Sequence, residues 1–189
     1  MVCDLVKGGH RPYVFDSGPL SHFAQAGWLG LLREVTGAEE AWIPSTVRRE
    51  IADGVDRYPH LRGVLDAEWL RPREAGSPDE MNAFGKYTSR MLGEDQRKNL
   101  GECEVLALAE VHNGIAVLDD TVARNAAQDY GVEVKTTVSL LCDLLRAKHI
   151  SFDLASKIAD RLLQTEYRLP FGEGGFRMFV IENDYLPYE

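Results

Sequence analysis

Aspartates follow two short apolar segments of the chain, and their placement suggests metal chemistry. Asp16 comes directly after the segment 13–15, and Asp119 and Asp120 come directly after the apolar run 115–118. In an open α/β sheet, ligands bind at the carboxyl ends of the strands, so these acids would meet at one edge. Clustered carboxylates repel one another unless they are protonated or bridged by a cation. The two segments therefore predict a divalent-metal site.

Two glutamates in predicted helices are further candidates for this site. Glu50 lies in the predicted helix 45–53, on the side that carries its apolar residues, and Glu102 lies in the first turn of the predicted helix 101–113. An exposed acid near a helix N-terminus also gains about 0.3–1 kcal/mol from the helix dipole, which is a purely structural explanation for Glu102. The helix is apolar nearly all round. Helical geometry therefore does not separate Glu102 from Glu104.

The hydrophobic pattern alternates between strands and helices along the chain. The predicted strands are 13–16, 41–43, 115–118 and 132–134, with 67–71 either a strand or an extended segment. The predicted helices are 20–33, 45–53, 81–92, 101–113, 121–130, 137–148 and 151–165. Strands that alternate with helices in this way indicate an α/β fold around a parallel sheet.

Composition narrows the class of protein. The length of 189 residues fits one domain, and the net charge of −9 weighs against tight nonspecific binding to duplex DNA. No apolar run is long enough to span a bilayer, and the N-terminal segment lacks the apolar region of a secretory signal, so we expect no membrane association. Cys3, Cys103 and Cys142 show no CxxC spacing, which predicts a reducing, cytoplasmic location rather than a disulfide framework or zinc knuckle.

Four segments, in this order, resemble the motifs of PIN-domain proteins. They are VFDSGPL at 14–20, IPSTVRREI at 43–51, LGECEVLALAEV at 100–111 and VLDDTVARNAAQDYGVEV at 117–134. They are most similar to the subgroup with a Gly-Glu motif before the fourth strand and Asp-Asp-x-x-Ala-Arg after it, which includes VapC-like toxin ribonucleases. The resemblance runs, with gaps, from about residue 13 to 165. It implies a three-layer α/β/α fold with a central parallel sheet, and metal-dependent cleavage of RNA.

The resemblance also assigns roles to individual acids. It implies that Asp16 is the first-strand metal ligand, that Glu50 is the acid of the second conserved helix, and that Glu102 is the third acid. Asp120 would be the fourth acid, with Asp119 as its neighbour or helper. The implied catalytic residues are Asp16, Glu50, Glu102 and Asp120. The implied metal ligands are Asp16, Glu102, Asp119 and Asp120, and the implied ion is Mg²⁺ or Mn²⁺.

Two further residues match the motifs in supporting roles. Ser17 matches the small hydroxyl residue that follows the first aspartate, where it would position a ligand or phosphate. Arg124 matches the arginine of the Asp-Asp motif, where it would anchor Asp119 or Asp120 or touch the substrate. The segment Val-Lys-Thr-Thr at 134–137 departs from the pattern, because it lacks the glycine that is common there.

The resemblance divides the chain into a PIN-like nuclease domain at 11–168 and a tail at 169–189 whose structure the pattern does not predict. An insertion at about 72–99 is longer than a minimal toxin would have. The stretch 71–98 is locally basic, with six bases against five acids: Arg71, Arg73, Lys86, Arg90, Arg97 and Lys98 against Glu74, Asp79, Glu80, Glu94 and Asp95. It either flanks the RNA path or forms an ordinary solvated surface.

Each acid also has a structural alternative when it is taken alone. Asp16 can cap the turn that follows it, and one of Asp119 and Asp120 is expected to cap the helix 121–130. Of these two, Asp120 is the better candidate for the ligand and Asp119 for the cap. Glu50 and Glu102, taken singly, are ordinary exposed helix acids. The metal-site hypothesis depends on the joint pattern.

These observations leave two functions open and remove a third. The first is a metal-dependent endoribonuclease, either the toxin of a toxin–antitoxin pair, covered by an antitoxin protein, or a housekeeping enzyme; the resemblance also implies a homodimer. The alternative is a catalytically weak PIN scaffold that binds RNA or a protein. A phosphoryl-accepting receiver domain is rejected, because its acid pair should follow the first strand, which here ends in the single aspartate Asp16.

Overall fold

A computed structural model describes residues 11–37, 39–91 and 99–186. Within these residues the chain forms one sheet of five strands, all parallel, in the order β3-β2-β1-β4-β5. The strands are β1 Tyr13–Phe15, β2 Ala41–Pro44, β3 Leu70–Arg73, β4 Ile115–Val117 and β5 Glu133–Lys135. The predicted parallel sheet is confirmed, and the segment that was either a strand or merely extended forms the edge strand β3.

Helices follow every strand, and the first three strands are each followed by two α-helices. Within the described residues they are α1 Ser17–Gln25, α2 Leu29–Thr36, α3 Ser45–Gly54, α4 Arg62–Leu65, α5 Pro78–Met91, α6 Leu100–Val111, α7 Thr121–Tyr130, α8 Thr137–Arg146, α9 Phe152–Leu163 and α10 Phe176–Glu182. A short 3-10 helix, Pro59–Leu61, precedes α4. The apolar α6 contacts β1, β2 and β4, and it also packs against α5 and α7. Helices flank the sheet in the expected three-layer α/β/α arrangement.

The strand order places a topological switch point between β1 and β4. From β1 the chain proceeds through β2 to β3 on one side, and from β4 it proceeds to β5 on the other. Phe15 of β1 is in register with Val117 of β4, and the Asp16 N–H donates to the Val117 carbonyl at 3.0 Å. Ligands of open α/β sheets bind outside the carboxyl ends of the strands at such a point. The fold therefore brings both aspartate segments to the place where a ligand is expected.

The predicted single helix 20–33 is wrong, because the structure has two helices there. The Ala26 N–H closes α1 onto the His22 carbonyl, and Gly27 then takes a φ of +80°. Glycine adopts this left-handed conformation without steric cost, so the chain can turn sharply before α2 begins at Leu29. The Trp28 N–H bonds back to the Phe23 carbonyl and fixes the turn. The helical hydrophobic pattern continues across this break, so the pattern alone predicts one helix instead of two.

The insertion is built into the body of the fold. Its helix α5 packs against α6 and α7, and the predicted end of that helix at residue 92 lies outside the described residues, as do Arg97 and Lys98. Buried Glu80 anchors the start of α5 by accepting the N–H groups of Gly76 and Ser77 at 2.9 and 2.8 Å. The insertion thus supplies a packed helix rather than a loose basic arm.

The tail is also packed. Helix α10, Phe176–Glu182, contacts α9 and buries the side chains of Phe176 and Val180. Cys103 and Cys142 are buried free thiols, whereas Cys3 lies outside the described residues. In the part of the chain that the structure describes, no helix has the length and apolar character needed to cross a bilayer.

Candidate metal centre

Asp16 occupies the centre of the candidate site, at the end of β1. Its side chain is 7% exposed, and Oδ2 accepts the Gly18 N–H at 3.3 Å, which makes Asp16 the N-cap of α1. The structural alternative for this residue is therefore correct. The cap engages only Oδ2, because Oδ1 of the same carboxylate is directed toward Gly101.

Oδ1 of Asp16 and Oε2 of Glu50 both lie close to Gly101, the residue before Glu102. A methyl group added to Gly101 would lie 3.7 Å from Asp16 Oδ1 and 3.6 Å from Glu50 Oε2. It would also lie 3.2 Å from the Val47 side chain, which is a tight contact. A glycine at this position lets α3 and α6 approach closely enough for the two carboxylates to face the same point. This is a physical reason for the Gly-Glu motif.

Electrostatics connect Asp16, Glu50, Glu102 and Asp120 into one group, called here the acidic cluster. Burial, followed by the negative charges of Glu102 and then Glu50, raises the pKa of Asp16 from 3.8 to about 8, against the opposing backbone N–H groups of Ser17 and Gly18. Burial also raises the pKa of Glu102, with Glu50 and Asp120 adding to the shift. Such mutual repulsion is what a bound cation relieves.

The structure separates Glu102 from Glu104, which the helical pattern alone does not. Glu104 is 3% exposed, and its carboxylate accepts the Thr46 N–H at 2.8 Å and the Thr46 hydroxyl at 2.5 Å. It also accepts the Ala75 N–H at 3.1 Å and the Ser45 hydroxyl at 3.2 Å. Glu104 therefore joins α6 to the start of α3 and to the segment after β3. Glu102 receives no hydrogen bond from any other described residue.

The helix cap expected at Asp119 is at Asp120 instead. Asp120, not Asp119, is the N-cap of α7, because its Oδ1 accepts the Ala123 N–H at 2.9 Å. The prediction that Asp119 is the cap is wrong. The Leu118 N–H bonds to the Lys135 carbonyl, so the chain still follows β5 at this point and Asp119 reaches the first turn of α8 instead.

Asp119 is held by three donors from distant parts of the chain. The Thr137 N–H and hydroxyl donate to it at 3.0 and 2.7 Å, and the Tyr167 hydroxyl donates to the same carboxylate. A helix N-terminus such as that of α8 favours a negative charge. Burial and the charge of Asp119 raise the pKa of Tyr167 well above its usual range, so it remains a neutral donor. Thr137 thus has a role at the segment where the expected glycine is missing.

The two supporting residues lie beside the cluster. Ser17 is half-buried next to Asp16, and its hydroxyl makes no hydrogen bond to another described residue. Arg124 is exposed and donates to the Thr121 hydroxyl at 3.3 Å, not to Asp119 or Asp120. The anchoring role considered for Arg124 is therefore not what the structure has, and contact with substrate remains its proposed role.

Two grooves flank the acidic cluster. The first, called the Ser17 groove, has a volume of about 690 Å³ and is lined in part by Ser17 and Glu50. The second, called the Arg124 groove, has a volume of about 680 Å³ and is lined in part by Asp120 and Arg124. His22 and Glu166 line both, so they form the boundary between the two grooves. Both volumes suit a ligand the size of one or two nucleotides.

Tyr167 and His22 are site residues that the motifs do not contain. The two rings stack with centroids 4.2 Å apart, and the Tyr167 hydroxyl lies 3.7 Å from the position that a methyl group on Gly18 would take. Burial, together with the nearby His60, lowers the pKa of His22, which keeps its ring neutral. No sequence signal identifies these residues, because they reach the site from α1 and from the segment after α9.

The residues present fit a divalent cation in their chemistry, although their side chains do not already enclose one. Carboxylate oxygens are the ligands that Mg²⁺ prefers, and it retains several waters, so few protein ligands suffice. Among the described residues, no three acidic, histidine or cysteine side chains stand close enough together to hold a metal ion. Glu50 and Glu102 have no hydrogen bond from another described side chain, so they can turn toward Asp16 without breaking one.

Fold and site together define a class of protein: a three-layer α/β domain with clustered carboxylates at the switch point of its sheet. The comparison with known families agrees, since the sequence profile of the PIN domain matches residues 12–172. The chain belongs to the PIN-domain family, whose members are generally nucleases that use divalent metal ions. No curated protein matches the chain.

Proposed function

We propose that the chain is a metal-dependent endoribonuclease that hydrolyses RNA phosphodiester bonds at the acidic cluster. The observation that carries the proposal is the convergence of Asp16, Glu50 and Glu102 around Gly101, with the pKa of Asp16 raised to about 8. Groups with perturbed pKa values in a cleft are candidates for function. Family membership supplies the class of reaction.

In this proposal Asp16, Glu102 and Asp120 would hold Mg²⁺ or Mn²⁺. Asp119 would not bind the ion and would instead orient the residues around it. Asp119 is left out of the ligand set because three donors already engage its carboxylate. When bound, such an ion would neutralise charge at the phosphate and lower the pKa of a water. Among the described residues, Asp120 spends one oxygen on the Ala123 N–H, which leaves its other oxygen available.

Glu50 and Ser17 act on the reacting groups. Glu50 is exposed and has no hydrogen-bond partner among the described residues, so its carboxylate can accept the proton of the attacking water. The water oxygen forms a bond to phosphorus, the bond to the leaving ester oxygen breaks, and that oxygen takes a proton from solvent. The Ser17 hydroxyl donates to a phosphate oxygen and keeps the attack in line.

The substrate and setting are parts of the same proposal. Two grooves on either side of the cluster suit a single strand that crosses it, and the net charge of −9 disfavours a duplex held by its phosphates. Buried free thiols at Cys103 and Cys142 are compatible with a cytoplasmic location. The roles as a homodimer and as a toxin with an antitoxin partner rest on the family resemblance of the motifs.

Cleavage assays with defined ions test the proposal. The purified protein should cut single-stranded RNA with Mg²⁺ or Mn²⁺ and stop when EDTA is added. Asp16→Asn and Asp120→Asn should each lose nearly all cleavage while circular dichroism shows a folded protein. Asp153→Asn, which changes an exposed acid in the first turn of α9, is the matched control and should cut like the parent. Equal rates for the parent and both site variants would overturn the assignment.

The scaffold alternative keeps one observation in its favour, namely that no three side chains of the described residues already enclose a metal ion. A catalytically weak PIN scaffold would bind RNA or a protein without cutting. The same assay distinguishes the scaffold from the nuclease. A scaffold would still bind RNA, but it would cut no faster with Mg²⁺ or Mn²⁺ than in EDTA. For the toxin role, expression in a bacterial host should arrest growth, and Asp16→Asn should relieve the arrest.

A further inference from the structure

The Ser17 groove has features of a binding site that the proposed reaction does not use. It starts at Ser17 and Glu50 of the acidic cluster and extends between α1, the 3-10 helix and the segment after α9. A strand of RNA held at the cluster must continue past one of its edges. The inference below rests on the proposed function for the identity of that strand.

Beyond Ser17 and the phosphate that is cleaved, the charge of the groove disfavours a further phosphate as its occupant. Two carboxylates, Glu50 and Glu166, line it, and among the described residues no lysine or arginine does. A phosphate would be repelled there, whereas a neutral group with N–H donors would be bound. In RNA, the neutral groups that carry N–H donors are the bases.

An aromatic ring stands at the wall of the groove. Tyr58 is 45% exposed, and His60 lies beside it with ring centroids 6.0 Å apart. Arg57, which does not line the groove, lies 5.1 Å from the Tyr58 ring centroid and helps to hold the ring in place. Exposed aromatic rings next to a strand path are where unpaired bases stack.

Polar groups around the ring are available to the edge of a base. Ser21 and Gln25 line the groove, and their side chains make no hydrogen bond to another described residue. The hydroxyl of Thr165 donates its single hydrogen to the Leu162 carbonyl at 2.6 Å, so the 2.7 Å bond to His22 must use the proton on His22 Nδ1. Nε2 of the neutral His22 ring is then an acceptor.

The carboxylate at Glu166 favours one kind of base. Glu166 lines the groove and has a φ of +64°. Residues other than glycine rarely adopt this backbone conformation, and it often marks functional positions. A carboxylate can accept two parallel N–H bonds, and among the bases guanine offers such a pair, N1–H and N2–H₂, on one edge. The chemistry of the groove thus favours guanine.

We propose that the Ser17 groove binds one unpaired base of the RNA beside the cleaved bond, with Tyr58 as the stacking platform and guanine as the preferred base. The groove would then set sequence preference, while the acidic cluster performs the cleavage. Tyr58, Gln25 and Glu166 are specificity-determining residues in this scheme, and none of them takes part in the reaction.

A binding measurement in EDTA tests this without depending on cleavage. Fluorescence anisotropy would compare short RNA oligomers that carry a single guanine, a single adenine or no base at all among abasic residues. The oligomer without a base reports the backbone contribution alone. We expect the parent to bind the guanine oligomer about 10-fold tighter than the fully abasic one, as stacking of one base predicts, and tighter than the adenine oligomer.

Variants assign the effect to the groove. Tyr58→Ala should lose most of the tighter binding of the guanine oligomer over the abasic one, whereas Tyr58→Phe, which keeps the ring, should retain it. Gln128→Ala, which changes an exposed glutamine of α7 away from the groove, is the control for Gln25→Ala and should bind like the parent. Equal affinity of the parent for the guanine and abasic oligomers, or an unchanged preference in Tyr58→Ala, would overturn the inference. A base preference without cleavage in Mg²⁺ would instead support the groove and overturn the nuclease proposal.

Discussion

Two glutamates that stand two residues apart in α6 differ in every respect that matters for chemistry. Glu104 is buried and accepts hydrogen bonds from four donor groups of Ser45, Thr46 and Ala75. Glu102 is half-buried, faces Asp16 and Glu50, and receives no hydrogen bond from any other described residue. A buried charge is stable when donors surround it, and it is costly when other acids do. The first arrangement stabilises the fold, and the second is suited to a ligand.

The same contrast sorts the other acids of the molecule. Glu80 and Asp119 belong with Glu104, because Glu80 accepts two backbone N–H groups and contacts His112 at 2.7 Å, and Asp119 accepts three bonds. Hydrogen bonds from Gly76, His112 and Ser77 outweigh the effect of burial and lower the pKa of Glu80 well below its usual range. Asp16 belongs with Glu102, since burial and then the charges of Glu102 and Glu50 raise its pKa. Hydrogen-bond donors around a carboxylate thus lower its pKa, whereas burial beside other acids raises it.

The largest effect expected from this contrast is on cleavage by Glu102→Gln. Removal of one ligand carboxylate should lower kcat/KM for RNA at least about 100-fold, since even residues that only support metal ligands give 10–100-fold losses. The thermal midpoint should not fall, because the substitution also removes a repulsive charge. Rates under matched Mg²⁺ and a melting curve measure both. A variant that cuts like the parent would place Glu102 with the structural acids.

Glu104→Gln should show the reverse pattern. Its amide would turn N–H donors toward groups that are themselves donors, at a cost of about 2–3 kcal/mol in the free energy of unfolding. For a chain of this size that lowers the thermal midpoint by about 4–12 °C. The fraction that stays folded at low temperature should cut RNA with the kcat of the parent. A loss of kcat in fully folded Glu104→Gln would contradict its structural role.

Asp16→Asn should stabilise the protein when divalent ions are absent. The folded pKa of about 8 lies above the ordinary 3.8, so the folded state binds the extra proton, and the stability of the parent in EDTA should fall as the pH rises from about 4 to about 8. Asparagine removes this dependence. At pH 8 in EDTA the free energy of unfolding of the variant should exceed that of the parent by about 2 kcal/mol, so its thermal midpoint should lie several degrees higher. Mg²⁺ should raise the midpoint of the parent only. Parallel stability–pH curves for the two proteins would contradict the repulsion.

The smallest effect concerns the support of Asp119. Tyr167→Phe removes one of its three donors and should lower the free energy of unfolding by about 1 kcal/mol, because Thr137 still donates twice. Cleavage should change by less than about 10-fold, below the about 10–100-fold losses of residues that hold a metal ligand directly, because Tyr167 holds Asp119, which is not a ligand in this proposal. Chemical denaturation and cleavage rates measure the two quantities. A loss as large as that of Glu102→Gln would make Tyr167 part of the reacting site.

The strand ends and their acids could be predicted from sequence because they depend on local pattern. A short apolar run that stops at an aspartate identifies β1 with Asp16, and the run before Asp119 identifies β4. Parallel topology then brings the two ends together, whatever the details of packing. The parallel sheet follows from the alternation of strands and helices, the three-layer arrangement is what the resemblance to PIN-domain proteins implies, and both are confirmed.

The structural role of Asp119 could not be predicted, because it depends on partners far along the chain. Thr137 and Tyr167 stand 18 and 48 residues beyond Asp119, and only the folded sheet brings them to it. The distinction between Glu102 and Glu104 has the same origin, since the donors to Glu104 include Thr46, which lies 58 residues earlier. Local periodicity contains no information on such contacts.

Binding of Mn²⁺ to the purified protein, measured by calorimetry or electron paramagnetic resonance, tests the central claim most directly. The parent and Glu104→Gln should each bind the ion, whereas Asp16→Asn and Glu102→Gln should bind it at least about 10-fold more weakly. Equal binding by all four proteins, or no binding by the parent, would contradict the claim that the unpaired acids at the switch point form a metal site.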